Sequence, residues 1–183
     1  MPRNIRIVGF TGMKRQDSYN KAMLQCAREL LPEYVDLEIV SVEDLPTFEQ
    51  TAQLPESVSQ FRAKLQQADA VLIASPEYKG LLPNGTKNAL AWALHAEDTS
   101  VLTGKPTALM GVGRQSATEQ QRLRQLLAEK QVPVLPAPAL YVSAQEKFDR
   151  DGSLAHEETE EQIRMLLTVL VMHARDARAT LVG

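Results

Sequence analysis

The stretch from Ile5 to Asn20, IRIVGFTGMKRQDSYN, decides how this chain folds. Ile5, Ile7, Val8 and Phe10 form a short, β-branched apolar run between polar residues, which predicts a strand covered on both faces, as in a parallel sheet. The run stops at Gly12. Thr11, Lys14, Arg15, Asp17, Ser18 and Asn20 crowd the turn, and a helical pattern of Ala22, Met23, Cys26, Ala27, Leu30 and Leu31 follows, with Ser18 as its predicted N-cap. The first turn of such a helix leaves backbone N–H groups unpaired and carries partial positive charge. With hydroxyls and a guanidinium beside it, it can seat a phosphate without a metal. Any strand-to-helix connection also carries polar residues and a cap, so the stretch alone leaves both readings open. Gly9 and Gly12 do not give the G-x-G-x-x-G spacing, and no Gly-Lys-Ser/Thr follows. That argues against a standard dinucleotide or ATP-hydrolysing site, and a hydroxyl-rich loop suits a smaller, monophosphate-type head group instead.

Working outward, Val35 to Val40 predicts a second strand, which Glu43-Asp44-Leu45-Pro46 breaks. Pro55 opens a helix whose inner face is Val58, Phe61, Leu65 and Ala68. Ala70 to Ala74, AVLIA, is a wholly apolar strand that runs into the loop SPEYKGLLPNGT. Asn84 or Thr86 is expected to cap the next helix, with Ala89, Leu90, Ala93 and Leu94 inward. Thr107 to Val112 is a fourth strand, Gly113 to Ser116 a polar loop, and Ala117 to Lys130 a helix packed through Leu123, Leu126 and Leu127. Val132 to Leu135 reads as a fifth strand at an edge, where Pro133 is tolerated, and Ala137 to Val142 continues that edge. Phe148 to Gly152 is a turn, and Glu157 to Thr180 a closing helix with acidic residues first and Arg175 and Arg178 near its end. This alternation predicts an α/β fold, a doubly wound parallel sheet with helices on both faces, in one domain from 1 to 183. Ligands of such sheets sit beyond the carboxyl ends of the strands, so the loops Thr11 to Tyr19, Pro76 to Pro83 and Gly113 to Ser116 are expected to meet.

A formal charge of −3 gives no general attraction to nucleic acid or to anionic membranes. No apolar run reaches spanning length and the opening MPRN has no signal-peptide core, so the expected location is cytoplasmic. The single cysteine, Cys26, excludes an internal disulfide and a cysteine metal cluster, and its helical position reads as packing. His95, His156 and His173 stand far apart without ligand spacing, so no metal site is expected. Trp92 reads as a packed or interface aromatic. Glu157, Glu158, Glu160 and Glu161 form a solvated, dipole-matched helix start, and Arg122 and Arg124 an exposed helix face.

Taken in order, GxxRxxSYN (Gly12 to Asn20), SPEY (Ser75 to Tyr78), Pro83, KNAL (Lys87 to Leu90) with Trp92, and GKP (Gly104 to Pro106) resemble the NADPH-dependent FMN reductase family. This is the flavodoxin-like group that includes quinone, chromate and azo-dye reductases. The resemblance implies a five-stranded sheet in the order 2-1-3-4-5, non-covalent FMN, NADPH or NADH as donor, a small-molecule acceptor such as a quinone, and a homodimer or homotetramer. It implies that the first loop, through Thr11, Arg15, Ser18, Tyr19 and Asn20, holds the FMN phosphate end. It further implies that Pro76, Glu77, Tyr78 and Lys79, with Gly113 and Arg114, run along the isoalloxazine ring. In the implied shuttle, the donor passes a hydride to the flavin and leaves, and the acceptor takes the electrons. The flavin carries that chemistry, which accounts for a chain with no evident catalytic acid, base or nucleophile.

The chain departs from the family pattern at several positions. Met13 stands where a serine is usual, Lys79 where asparagine is, Asn84 where glycine is common and Ala91 where aspartate is. The third loop, usually glycine-rich, reads GVGRQSATEQQ. Beside the ring, Lys79 or Arg114 would either favour a reduced, anionic flavin or fill the pocket. These departures keep two other classes in view: a flavodoxin-like binding or regulatory protein without redox turnover, and an enzyme that uses the same loop for a nucleotide monophosphate.

Overall fold

A computed structural model describes residues 4–12, 19–50, 53–75, 82–95, 100–112, 117–136, 140–142, 148–149 and 153–182. Strands and helices alternate through the whole chain: β1 (Ile5–Phe10), α1 (Tyr19–Glu29), β2 (Val35–Val40), α2 (Glu56–Gln67), β3 (Ala70–Ala74), α3 (Asn84–Leu94), β4 (Thr107–Val112), α4 (Ala117–Glu129), β5 (Leu140–Val142) and α5 (Glu157–Val182). Four parallel strands in the order β2-β1-β3-β4 form the body of the sheet, and the three-residue β5 lies along the outer edge of β4.

Alternation along each strand sends side chains to two separate cores. Ile5 and Ile7 of β1, Leu72 of β3 and Met110 of β4 pack with α1 and α5 through Met23, Leu24, Ile163 and Leu170. Val8, Phe10, Val71, Ile73 and Leu109 face the other way, onto Phe61, Leu65, Leu90 and Leu127 of α2, α3 and α4. With both faces covered, β1, β3 and β4 are apolar nearly throughout, and only the edge strand β2 alternates with exposed Asp36 and Glu38.

Several expected boundaries move. Val132 to Leu135 does not form a strand: Val134 makes one isolated bridge to Thr107, and β5 begins only at Leu140. Pro133 and Pro136 have no N–H for a ladder, so this segment meets β4 by Thr107 N–H to Pro133 O and Leu135 N–H to Thr107 O, and α4 by Val132 N–H to Leu127 O and Arg124 to Leu135 O. α1 stops before Leu30 and Leu31, α2 before Ala68 and α4 before Lys130. Leu126 points outward at 37% exposure while Leu123 and Leu127 are buried. The predicted cap Ser18 and most of the turn 148–152 lie outside the described residues.

The GKP motif has a structural task. Gly104 holds φ +73°, and Lys105 turns back so that its Nζ donates to Gln66 O at 3.0 Å and Ala68 O at 2.6 Å, closing the carbonyl end of α2. His156 closes the start of α5: the Thr159 N–H donates to its Nδ1 at 3.2 Å.

Burial, with Glu160 and Glu29 adding repulsion against Arg164's opposing pull, pushes the Cys26 thiol up to about 11. The native thiol therefore stays protonated where an unfolded one ionises. Its contribution to stability is intact below about pH 8.5 and is lost as pH rises towards the native value. Alkylation of Cys26 at pH 8 should run on the order of a hundredfold slower than that of a free cysteine and recover in urea. Equal rates in native and unfolded chains would show an open thiol instead.

Candidate functional site

The chain runs outward from β1 to β2, then crosses back over β1 to β3, so the strand order reverses between β1 and β3. In open α/β sheets, the carboxyl edge at such a reversal is where ligands bind. Here it carries Thr11 and Gly12 after β1 and Ser75 after β3, all buried.

Polar groups are concentrated there. Ser75 Oγ and Thr86 Oγ1 lie 3.3 Å apart, both fully enclosed, and the Ser75 N–H donates to Met110 O at 2.9 Å. Thr11 is only 6% exposed, and its Oγ1 is a buried side-chain oxygen with no hydrogen-bond partner among the described residues. A buried hydroxyl without a partner costs free energy, on the order of 1–3 kcal/mol, unless something else meets it.

Neither Asn84 nor Thr86 caps α3, contrary to expectation. Pro83 takes the N-cap position with no side-chain cap bond, and Thr86 is drawn inward to Ser75. Pro83 therefore offers no side-chain cap bond at the point where the helix meets Gly12. The contact is close: a Cβ on Gly12 would lie 1.9 Å from Thr86 N, and one on Gly85 2.1 Å from Gly12 O. Two glycines are required because two backbones touch.

α3 is pinned along its length. Asn88 Oδ1 accepts from the Phe48 N–H at 2.7 Å, and its Nδ2 donates to Pro46 O at 2.9 Å. Trp92 Nε1 donates to the same Pro46 O at 2.8 Å, and the indole meets the Phe48 ring edge-on at 4.9 Å. Arg62 of α2 donates to Trp92 O and His95 O at the carbonyl end. The KNAL and Trp92 motif thus fastens the segment after β2 to α3. Together they wall a cavity of about 470 Å³ lined by Val42, Leu45, Phe48, Asn84, Gly85 and Lys87.

Of the residues singled out by sequence, Thr11, Tyr19 and Asn20 are described. Thr11 lies at the strand reversal. Asn20 is buried at the start of α1, and its Oδ1 accepts from the Val112 N–H at 3.0 Å, which joins α1 to the end of β4. Tyr19 is 40% exposed, with its ring against Phe148 at 4.4 Å. Arg15, Ser18, Pro76, Glu77, Tyr78, Lys79, Gly113 and Arg114 lie outside the described residues. Sequence reading missed Ser75, Gly85 and Thr86. Each looks like an ordinary loop or cap residue until the fold brings β1, β3 and α3 together.

The arrangement fits a phosphate-bearing flavin. A buried hydroxyl with no partner among the described residues, beside a helix start without a side-chain cap bond, is what an anionic group at this edge would engage, while the tight Gly12–Gly85 cradle leaves no room for a Cβ and sets the backbone there.

Comparison with known proteins gives the same answer. Residues 5–147 match the family described as NADPH-dependent FMN reductase. The chain is 34% identical over 185 residues to an NAD(P)H-dependent FMN reductase of Pseudomonas aeruginosa, covering 97% of this chain and all of that one. It is 30% identical over 180 residues to a 2-hydroxy-1,4-benzoquinone reductase of a Burkholderia species, covering 95% and 98%. Among solved structures, the flavoenzyme NAD(P)H:(acceptor) oxidoreductase FerB of Paracoccus denitrificans superposes with a TM-score of 0.83 at 26% identity, over 94% of this chain and 98% of that one.

Proposed function

Because this chain belongs to the NADPH-dependent FMN reductase family, we propose that it is an NAD(P)H-dependent FMN oxidoreductase that passes reducing equivalents to quinone-type acceptors. The observation that carries the proposal is Thr11 Oγ1, buried and without a hydrogen-bond partner among the described residues, at the strand reversal beside the start of α3, where Pro83 makes no side-chain cap bond. When bound, FMN supplies the chemistry that accepts a hydride from NAD(P)H and releases electrons to the acceptor.

The chain's own residues bind and orient. Thr11 would donate its hydroxyl proton to a phosphate oxygen, which gives that buried group a partner. Arg15, with a planar guanidinium, and Ser18 would complete the phosphate seat, while Pro76, Glu77, Tyr78, Lys79, Gly113 and Arg114 would border the ring. The Gly12–Gly85 contact excludes water from the floor of the seat and fixes how far α3 stands from the first loop. Tyr19, its ring tilted against Phe148, would border the same end of the seat.

The proposal extends to a single domain over 1–183, because α5, beyond the family match, shares a core with β1 and β3. It also includes a homodimer or homotetramer, supported by the resemblance alone. A cytoplasmic location is supported by the free Cys26. Among the described residues, no helix is long and apolar enough to cross a membrane.

The test is a visible spectrum of freshly purified protein. Flavin absorbance should bleach on adding NADPH or NADH under nitrogen and return with a benzoquinone. Colourless protein that also fails to take up added FMN would refute the proposal. Tight FMN uptake without bleaching by either donor would favour the binding-protein alternative.

A further inference from the structure

Asn20 occupies the second position of α1, directly behind the first loop, and is 3% exposed. Its bond to Val112 spans 92 residues of chain. β3 ends at Ala74, opposite Met110, while β4 runs on to Val112. Val112 is itself 5% exposed, so its N–H is shielded from solvent and Asn20 Oδ1 supplies the acceptor. Val112 is also the last strand residue before the third loop, the one proposed to border the flavin ring.

We infer that Asn20 is a positioning residue: its Oδ1 fixes the start of the ring loop to the start of α1, a role distinct from holding the FMN phosphate. This rests on the flavin reading above. The contrast is with Thr11, whose buried Oγ1 has no hydrogen-bond partner among the described residues. Asn20 Oδ1 is committed to backbone, and a phosphate oxygen, itself an acceptor, would be met by Nδ2 instead, so the role inferred here is that of the oxygen. Removing it leaves a buried N–H unpaired at the root of the third loop, and the penalty falls on the ring side of the seat.

FMN and riboflavin differ only in the phosphate, so their affinities separate the two roles. Wild type, Asn20→Leu, Asn20→Asp and Thr11→Val are each titrated with both flavins. Amide exchange at Val112 is followed in the flavin-free chains. Asn20→Leu should weaken FMN and riboflavin by the same factor, about tenfold, and speed exchange at Val112. Asn20→Asp keeps an acceptor oxygen and should restore the protection of Val112. Thr11→Val should weaken FMN alone. Should Asn20→Leu not fold, Asn20→Ala replaces it.

Loss of FMN affinity in Asn20→Leu, with riboflavin affinity and Val112 exchange unchanged, would return Asn20 to the phosphate and overturn the inference. A wild type that took up neither flavin would instead refute the flavin reading. The Val112 exchange rates would then still decide whether Asn20 is the brace.

Discussion

Gly12→Ala is expected to cost about 3 kcal/mol or more and to abolish flavin retention. The added Cβ would lie 1.9 Å from Thr86 N, 2.4 Å from Gly85 C and 2.5 Å from Thr86 Oγ1. Two of these atoms are backbone in the first turn of a helix, so no rotamer change relieves the contact. More than an ångström of separation must be found, and α3 cannot readily supply it, being fastened by Asn88, Trp92 and Arg62. The first loop has to give way, and with it Thr11. For a chain of this size, the loss corresponds to a fall in Tm of roughly 10 °C. Gly85→Ala should behave alike, since its Cβ would lie 2.1 Å from Gly12 O. Two other glycines serve as controls. At Gly9 the Cβ presses on the flexible ends of the Leu24 and Leu37 side chains at 3.0 Å and lies at an ordinary 3.7 Å from Leu72 O, and at Gly104 it meets nothing within 4 Å, leaving only the strain of φ +73°. Each should cost about 1 kcal/mol and leave flavin binding in place. Urea titration of the flavin-free chains, with flavin uptake measured alongside, checks the order. If Gly12→Ala were as stable and as yellow as Gly9→Ala, the cradle would not be a structural necessity.

This cradle also marks where reading the sequence stops. Ala70 to Ala74 is located correctly at both ends because both faces are buried, so the apolar run and the strand coincide. β1 and β4 are legible for the same reason. The edge is not: Pro133 and Pro136 break the pairing, and β5 is three residues long, too short to print a period. In the site, Thr11 and Asn20 are recognisable by type and by their place behind a strand, but not by what they touch. Asn20 finds its partner 92 residues away. Gly12 and Gly85 each look like turn glycines, and only the packing of α3 against the end of β1 shows that they are needed for volume. Thr86 looks like a cap because threonine favours that position. Burial beside Ser75 wins over the cap preference, which is worth only about 1 kcal/mol.

Trp92→Ala is expected to cost about 3–5 kcal/mol, the range for losing a large, fully enclosed aromatic side chain. The indole does two things at once. Its ring fills the space between α3 and the edges of Phe48 and His95, and its Nε1 donates to Pro46 O. Trp92→Phe separates them, because phenylalanine keeps most of the aromatic contact and loses the donor. Pro46 O keeps a partner in that variant, since Asn88 Nδ2 also donates to it at 2.9 Å. The phenylalanine variant should therefore lose only about 1–2 kcal/mol, and the gap between the two measures packing against hydrogen bonding. The consequence reaches the flavin seat through α3: with Phe48 unsupported, residues 45–48 loosen and the wall they share with Asn84 and Gly85 opens. Limited proteolysis between Leu45 and Gln50 should accelerate in Trp92→Ala, and FMN should dissociate faster. Trp92→Phe should resemble wild type in both. Were the alanine variant to melt within a degree or two of the phenylalanine one, the motif's tryptophan would owe its place to something other than fastening the segment after β2 to α3.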